Sequence, residues 1–115
     1  MDKIRLSKDA DALICVVYKA YLERRKAGQS KRDARLMGGS PNIHKELLPK
    51  WSFEDVDETC GELSIAGLLN CQYADNFAYF VTLSDKGIIY MENRFKDGLS
   101  AVLEHLKSLM TFIPL

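Results

Sequence analysis

The sequence lacks the long apolar run a membrane span needs. A bilayer-crossing helix takes roughly 20 consecutive apolar residues, and the longest early stretch, Ala12 to Val17, falls far short of that and lies beyond charges of both signs. That stretch is also too short for a secretory signal core. Cysteine is scarce: Cys15, Cys60 and Cys71 are odd in number and form no CxxC pair. A disulfide framework is therefore not expected, and a reducing cytoplasm is the expected compartment. Histidine is scarcer. His44 and His105 are isolated in sequence, and neither belongs to an HExxH or other metal spacing with the cysteines. Gly38-Gly39-Ser40 lacks the lysine and preceding strand of a phosphate loop, and the acidic cluster has helical spacing, unlike a calcium loop. No catalytic residue, metal ligand or cofactor is assigned on these grounds, and the chain is expected not to be an enzyme.

What the sequence does have is a globular composition: 115 residues, 47% hydrophobic and 28% charged, enough for one domain with a modest core. Its net charge is zero, but the charges are segregated. Residues 1–50 hold twelve Lys/Arg against six Asp/Glu, whereas residues 51–76 hold six acids and no base. Such a dipole bears on partner choice more than the net charge does.

Ser7 is a suitable N-cap, and Lys8 to Ala27 carries apolar residues at helical spacing (Ala10, Leu13, Ile14, Val17, Tyr18, Tyr21) up to the stop at Gly28. Lys31–Met37 reads as a short helix capped by Ser30 or as a basic loop, with room for a short strand before the next helix. Ser40-Pro41 then starts a helix that ends before Pro49. Ser52 opens a further helix whose inward stripe is Phe53, Val56, Cys60 and Leu63, and whose other face is acidic. Leu68–Tyr73 and Phe77–Leu83 read as a hairpin across Ala74-Asp75-Asn76. Ser84 caps a helix with Ile88, Ile89, Met91 and Phe95 as apolar members, and Leu99–Ile113 is expected to be a last amphipathic helix. Trp51, between Pro49 and Ser52, reads as a packing residue.

This order is that of an α+β, mostly helical domain over residues 1–115, with its core about 8–95 and a C-terminal helix about 99–113. Two segments sharpen it. Ile65-Ala66-Gly67-Leu68-Leu69-Asn70 is similar to the end of a winged-helix third helix entering the first wing strand. Phe80-Val81-Thr82-Leu83-Ser84-Asp85-Lys86-Gly87-Ile88-Ile89-Tyr90 resembles the LT-x-KG-x-x-Y signature that closes the wing, where a hydroxyl residue caps the next helix and a glycine permits close packing. The chain thus resembles the winged helix-turn-helix superfamily, and within it the short bacterial and phage proteins of YjcQ type. The resemblance implies a two-stranded wing, a C-terminal helical extension and a DNA-binding or regulatory role.

The residues pull against that role. A winged-helix reader puts its third helix into the major groove, where phosphates demand cations and bases are read mostly by Arg, Lys, Asn and Gln. Here that helix offers Glu54, Asp55, Asp57, Glu58 and Glu62 and no base, and the hairpin tip adds Asp75. Those five carboxylates read either as a solvated face or as a surface for a basic protein partner. DNA contact falls instead to a basic region of Arg24, Arg25, Lys26, Lys31, Arg32, Arg35, Lys45 and Lys50, if folding brings the second helix beside the end of the first. In the last helix Leu99, Val102, Leu106, Leu109 and Ile113 form a stripe that either packs inside the protomer or pairs in a homodimer.

Overall fold

The computed structural model describes residues 4–115. Its elements in order are α1 (Lys8–Lys26), α2 (Lys31–Ala34), α3 (Ser40–Glu46), α4 (Phe53–Ile65), β1 (Leu69–Ala74), β2 (Phe77–Leu83), α5 (Asp85–Arg94) and α6 (Leu99–Leu109). Four of the six helices among the described residues start the same way. Ser7, Ser30, Ser52 and Ser84 each sit in extended backbone and accept, through Oγ, the amide three residues on. This satisfies one of the amides a helix start leaves unpaired. α3 is started differently: Asn42 Oδ1 accepts from the Gly39 amide at 2.9 Å, and Pro41 occupies the first turn.

α1 is the centre of the fold. Leu13, Ile14, Val17, Tyr18 and Tyr21 are all buried on it, and it packs against α2, α4 and α6. α4 contributes Val56, Cys60 and Leu63 to the same core and also packs on α3 and both strands. Phe53 is only partly buried and meets Phe77 edge-on, 6.2 Å between ring centres. The hairpin is antiparallel, with Leu69 opposite Leu83 and a register irregularity between Gln72 and Tyr73. Its turn is Asp75-Asn76, both at positive φ (53° and 71°), the conformation that matches a two-residue turn to strand twist and that Asp and Asn tolerate.

Residues 35–38 add a third, very short line to this sheet. The Leu83 amide donates to Arg35 O, Met37 N to Val81 O and Val81 N to Gly38 O, so the segment lies on the edge of β2 away from β1. The expected helix over Lys31–Met37 is therefore only its first turn. Met37, which helical spacing would have kept in α2, is instead buried beside β2. Three further expectations are corrected. α6 stops at Leu109 and a turn carries the chain on to Ile113. Ile89 is exposed on α5, since its neighbours Ile88 and Met91 take the inward positions. Phe95 is buried but lies just beyond α5. Trp51 is buried, and its Nε1 donates to Pro114 O at 2.8 Å, pinning the C-terminal turn. Among the described residues no helix is long and apolar enough to cross a membrane.

Candidate functional site

The five carboxylates of α4 divide by what they touch. Asp57 Oδ1 accepts from Ser40 Oγ at 2.7 Å and from the Ala78 amide at 2.9 Å, tying α3 and β2 to α4. Glu62 accepts both the amide (3.1 Å) and Oγ (2.8 Å) of Ser7, so it braces the cap of α1. These two are structural. Glu54, Asp55 and Glu58 stay exposed with no cation paired to them among the described residues. Asp55, Glu58 and Glu62 share a concavity of about 610 Å³ with Asp9, Ser7 and Thr59, and Ile65, 91% exposed, stands at its edge. Among the described residues no lysine or arginine lines it.

The basic region is brought together and partly consumed. Arg24 reaches from α1 to the carbonyls of Ala34 (3.3 Å) and Leu36 (2.7 Å), fastening α2 to the end of α1. Arg35 donates through Nε to Leu83 O (2.9 Å) and through Nη2 to Asp85 Oδ1 (2.6 Å). The Arg35 hydrogen bond and charge hold the exposed Asp85 carboxyl below its ordinary range. Those two arginines are braces, not free cations. Arg25, Lys26, Lys31 and Arg32 remain exposed around the α1–α2 junction, with Arg25 bonded to Gln29 O, Lys31 3.8 Å from Asp85 and Arg32 3.7 Å from Asp33. Lys45 and Lys50 are exposed on and after α3.

The last-helix stripe faces inward. Val102, Leu106, Leu109 and Ile113 belong to the protomer's own core and Leu99 is partly buried, so α6 spends that stripe on the core it shares with α1. A charge at Leu106 would attack the fold itself.

One cluster escaped the sequence reading. Asp11 on α1 is clamped by Arg94 of α5 (Nη1–Oδ1 2.5 Å, Nη2–Oδ2 3.1 Å) and by His105 of α6 (Nε2–Oδ2 2.8 Å). His105 is not isolated in space; only its 94-residue separation from Asp11 hid the pairing. Cys15 Sγ lies 3.6 Å from Asp11 Oδ1, so Asp, Cys and His donors fall within 4.8 Å of one another. A metal would need carboxylate lone pairs that the guanidinium and imidazole already take. Burial, helped by the Asp11 charge, also pushes the Cys15 thiol up to about 12, away from the thiolate a metal binds. The arrangement works as an ion-pair lock between three helices.

Burial also raises the thiols of Cys60 and Cys71. Cys15 and Cys60 are fully buried and Cys71 is partly exposed. Iodoacetamide at neutral pH is expected to modify Cys71 alone, and slowly, with the other two reacting only in denaturant. Mass spectrometry of the alkylated peptides reads this directly, and labelling of Cys15 in the native protein would contradict the packing of α1. Comparison with family models, with curated proteins and with solved structures finds no match to this chain.

Proposed function

We propose that the chain is a non-enzymatic module of winged-helix architecture that binds a basic segment of a partner protein through α4. The element order supports the architecture: helix, a one-turn helix, short edge strand, helix, helix, then a hairpin whose second strand lies between the other two lines of the sheet. With the one-turn α2 set aside, α4 corresponds to the third helix, the one a DNA reader would insert. The observation that carries the reading is its surface. Glu54, Asp55 and Glu58 are exposed, the adjoining concavity adds Asp9, and among the described residues no lysine or arginine lines that concavity; Lys50 reaches only the neighbouring cavity that it shares with Asp9 and Asp55. Phosphates repel such a face, whereas a lysine- or arginine-bearing peptide is attracted to it.

A second reading has its own observation. Arg24 draws α2 onto the end of α1, which gathers Arg25, Lys26, Lys31 and Arg32 as a nucleic-acid contact outside the third helix. Titrations at two salt concentrations separate the two. A short lysine-rich peptide is expected to bind the wild type, more weakly as salt rises. Binding should disappear in Glu54→Lys/Asp55→Lys/Glu58→Lys and survive Glu92→Lys, an exposed acid on α5. Mixed-sequence duplex DNA is expected not to bind. Tight DNA binding with a steep salt slope, lost in Lys26→Glu/Lys31→Glu/Arg32→Glu, would overturn the proposal in favour of the second reading. Arg24 and Arg35 are unsuitable for that test because they hold the fold together.

A further inference from the structure

α6 is apolar around more of its circumference than its own core uses. Val102, Leu106 and Leu109 turn inward, yet Leu103 is 38% and Met110 56% exposed. With Ser100 and Lys107 they make a second row whose members recur every three or four residues, the spacing at which helices pair side by side. The row borders an open groove of about 420 Å³ whose other walls include Val16 of α1, Leu47 beyond α3 and the C-terminal Leu115. One face thus carries both an apolar ridge and an apolar groove beside it.

The charges on that face select the occupant and its direction. Glu104 and Lys107 lie 3.6 Å apart with about three-quarters of each side chain in solvent. Such an exposed pair adds little within one chain and is free to change partners. A parallel twofold pairing of α6 with its copy would set Lys107 against Lys107. An antiparallel pairing centred near His105 brings Glu104 of each copy to Lys107 of the other and lays the small Ser100 across from the long Met110. We propose that this face joins two copies of the chain in an antiparallel, twofold-symmetric dimer. None of the residues lining the groove lines the acidic concavity, so the dimer is independent of the partner proposed for α4.

Sedimentation equilibrium of the full chain at high micromolar concentration tests it. The wild type is expected at twice its 13.1 kDa mass. Leu103→Asp and Met110→Asp change exposed positions and should each give a monomer, with a thermal transition equal to that of the wild type at concentrations low enough for the wild-type dimer to dissociate. Each substitution enters the interface twice, so the dimer should weaken by about a hundredfold or more. Glu104→Lys or Lys107→Glu alone should also weaken it, and the exchange Glu104→Lys/Lys107→Glu should restore it. A wild type that stays monomeric overturns the proposal, including the case where the groove takes up a peptide or apolar small molecule instead. So does a dimer that persists in both aspartate variants, or one the charge exchange fails to rescue.

Discussion

Alanine at Gly87 is expected to lower the unfolding free energy by about 3 kcal/mol, at the upper end of overpacking costs, and the Tm by roughly 10–15 °C for a domain of this size. A Cβ there would stand 2.2 Å from Leu68 O and 3.1 Å from Leu83 Cδ1. The first atom is backbone, so no side-chain rotation relieves the contact. α5 would have to retreat, and its first turn is anchored where the retreat must occur. Ser84 Oγ donates to Gly67 O at 2.6 Å and accepts from Gly87 N at 2.9 Å, while the Ser84 amide donates to Leu68 O at 3.2 Å. Gly61→Ala provides the contrast. Its Cβ would meet only the Tyr73 hydroxyl, at 3.4 Å, at the far end of a side chain, and alanine is the better helix former by up to about 1 kcal/mol. Urea unfolding of both variants should therefore move the midpoint in opposite directions. A Gly87→Ala protein within about 0.5 kcal/mol of wild type, inside the range of an inconsequential substitution, would show that the α4–β1 junction gives way more easily than its hydrogen bonds imply.

The same residues show why much of the fold was legible in the sequence. Serine caps, the glycine after them and the change from helical to alternating spacing at Leu68 are local signals, and the structure places α1, α4, the hairpin and α5 within a residue or two of where they point. The hydroxyl and glycine at the start of α5 likewise act locally, Ser84 as its cap and Gly87 in close approach to Leu68. What failed was long-range. Met37 follows a helical turn in sequence, but its amide is claimed by Val81 across 44 residues. Charge counting met the same limit. Asp57 and Glu62 look like their neighbours Glu54, Asp55 and Glu58 until Ala78 and Ser7 arrive as partners. Arg24 and Arg35 likewise look like surface charge until distant carbonyls claim them. A sequence fixes where a charge lies on its helix; only the fold decides whether it is free.

Replacing Arg94 with methionine is expected to cost about 2 kcal/mol at pH 7, somewhat below the range for breaking a fully buried ion pair because both partners keep some contact with solvent. The Tm should drop by roughly 8 °C. The loss should be pH-dependent, with a sign that the Asp11 environment dictates. Burial alone would raise the Asp11 carboxyl; hydrogen bonds and charge from Arg94 and His105 outweigh it and hold the group below its ordinary 3.8. A carboxyl depressed by folding contributes stability that is complete above 3.8 and fades as pH falls through its lowered folded value. Without Arg94 the burial penalty loses its main opponent, so the variant should regain stability relative to wild type on acidification, once Asp11 is neutral in both. Urea unfolding at pH 7, 5 and 3 should show the gap largest at neutral pH and narrowing toward the acidic end of that range, around and below 3.8. Asp11→Asn/Arg94→Met should recover part of the neutral-pH loss, because it removes the stranded charge as well as the pair. A gap of constant size across that range would mean that Arg94 contributes through its guanidinium over the Phe95 ring, 4.8 Å from the ring centre, rather than through Asp11. A narrowing gap assigns the contribution to charge, and makes one carboxylate on α1 the point at which α5 and α6, joined to it from 83 and 94 residues away, are fixed in place.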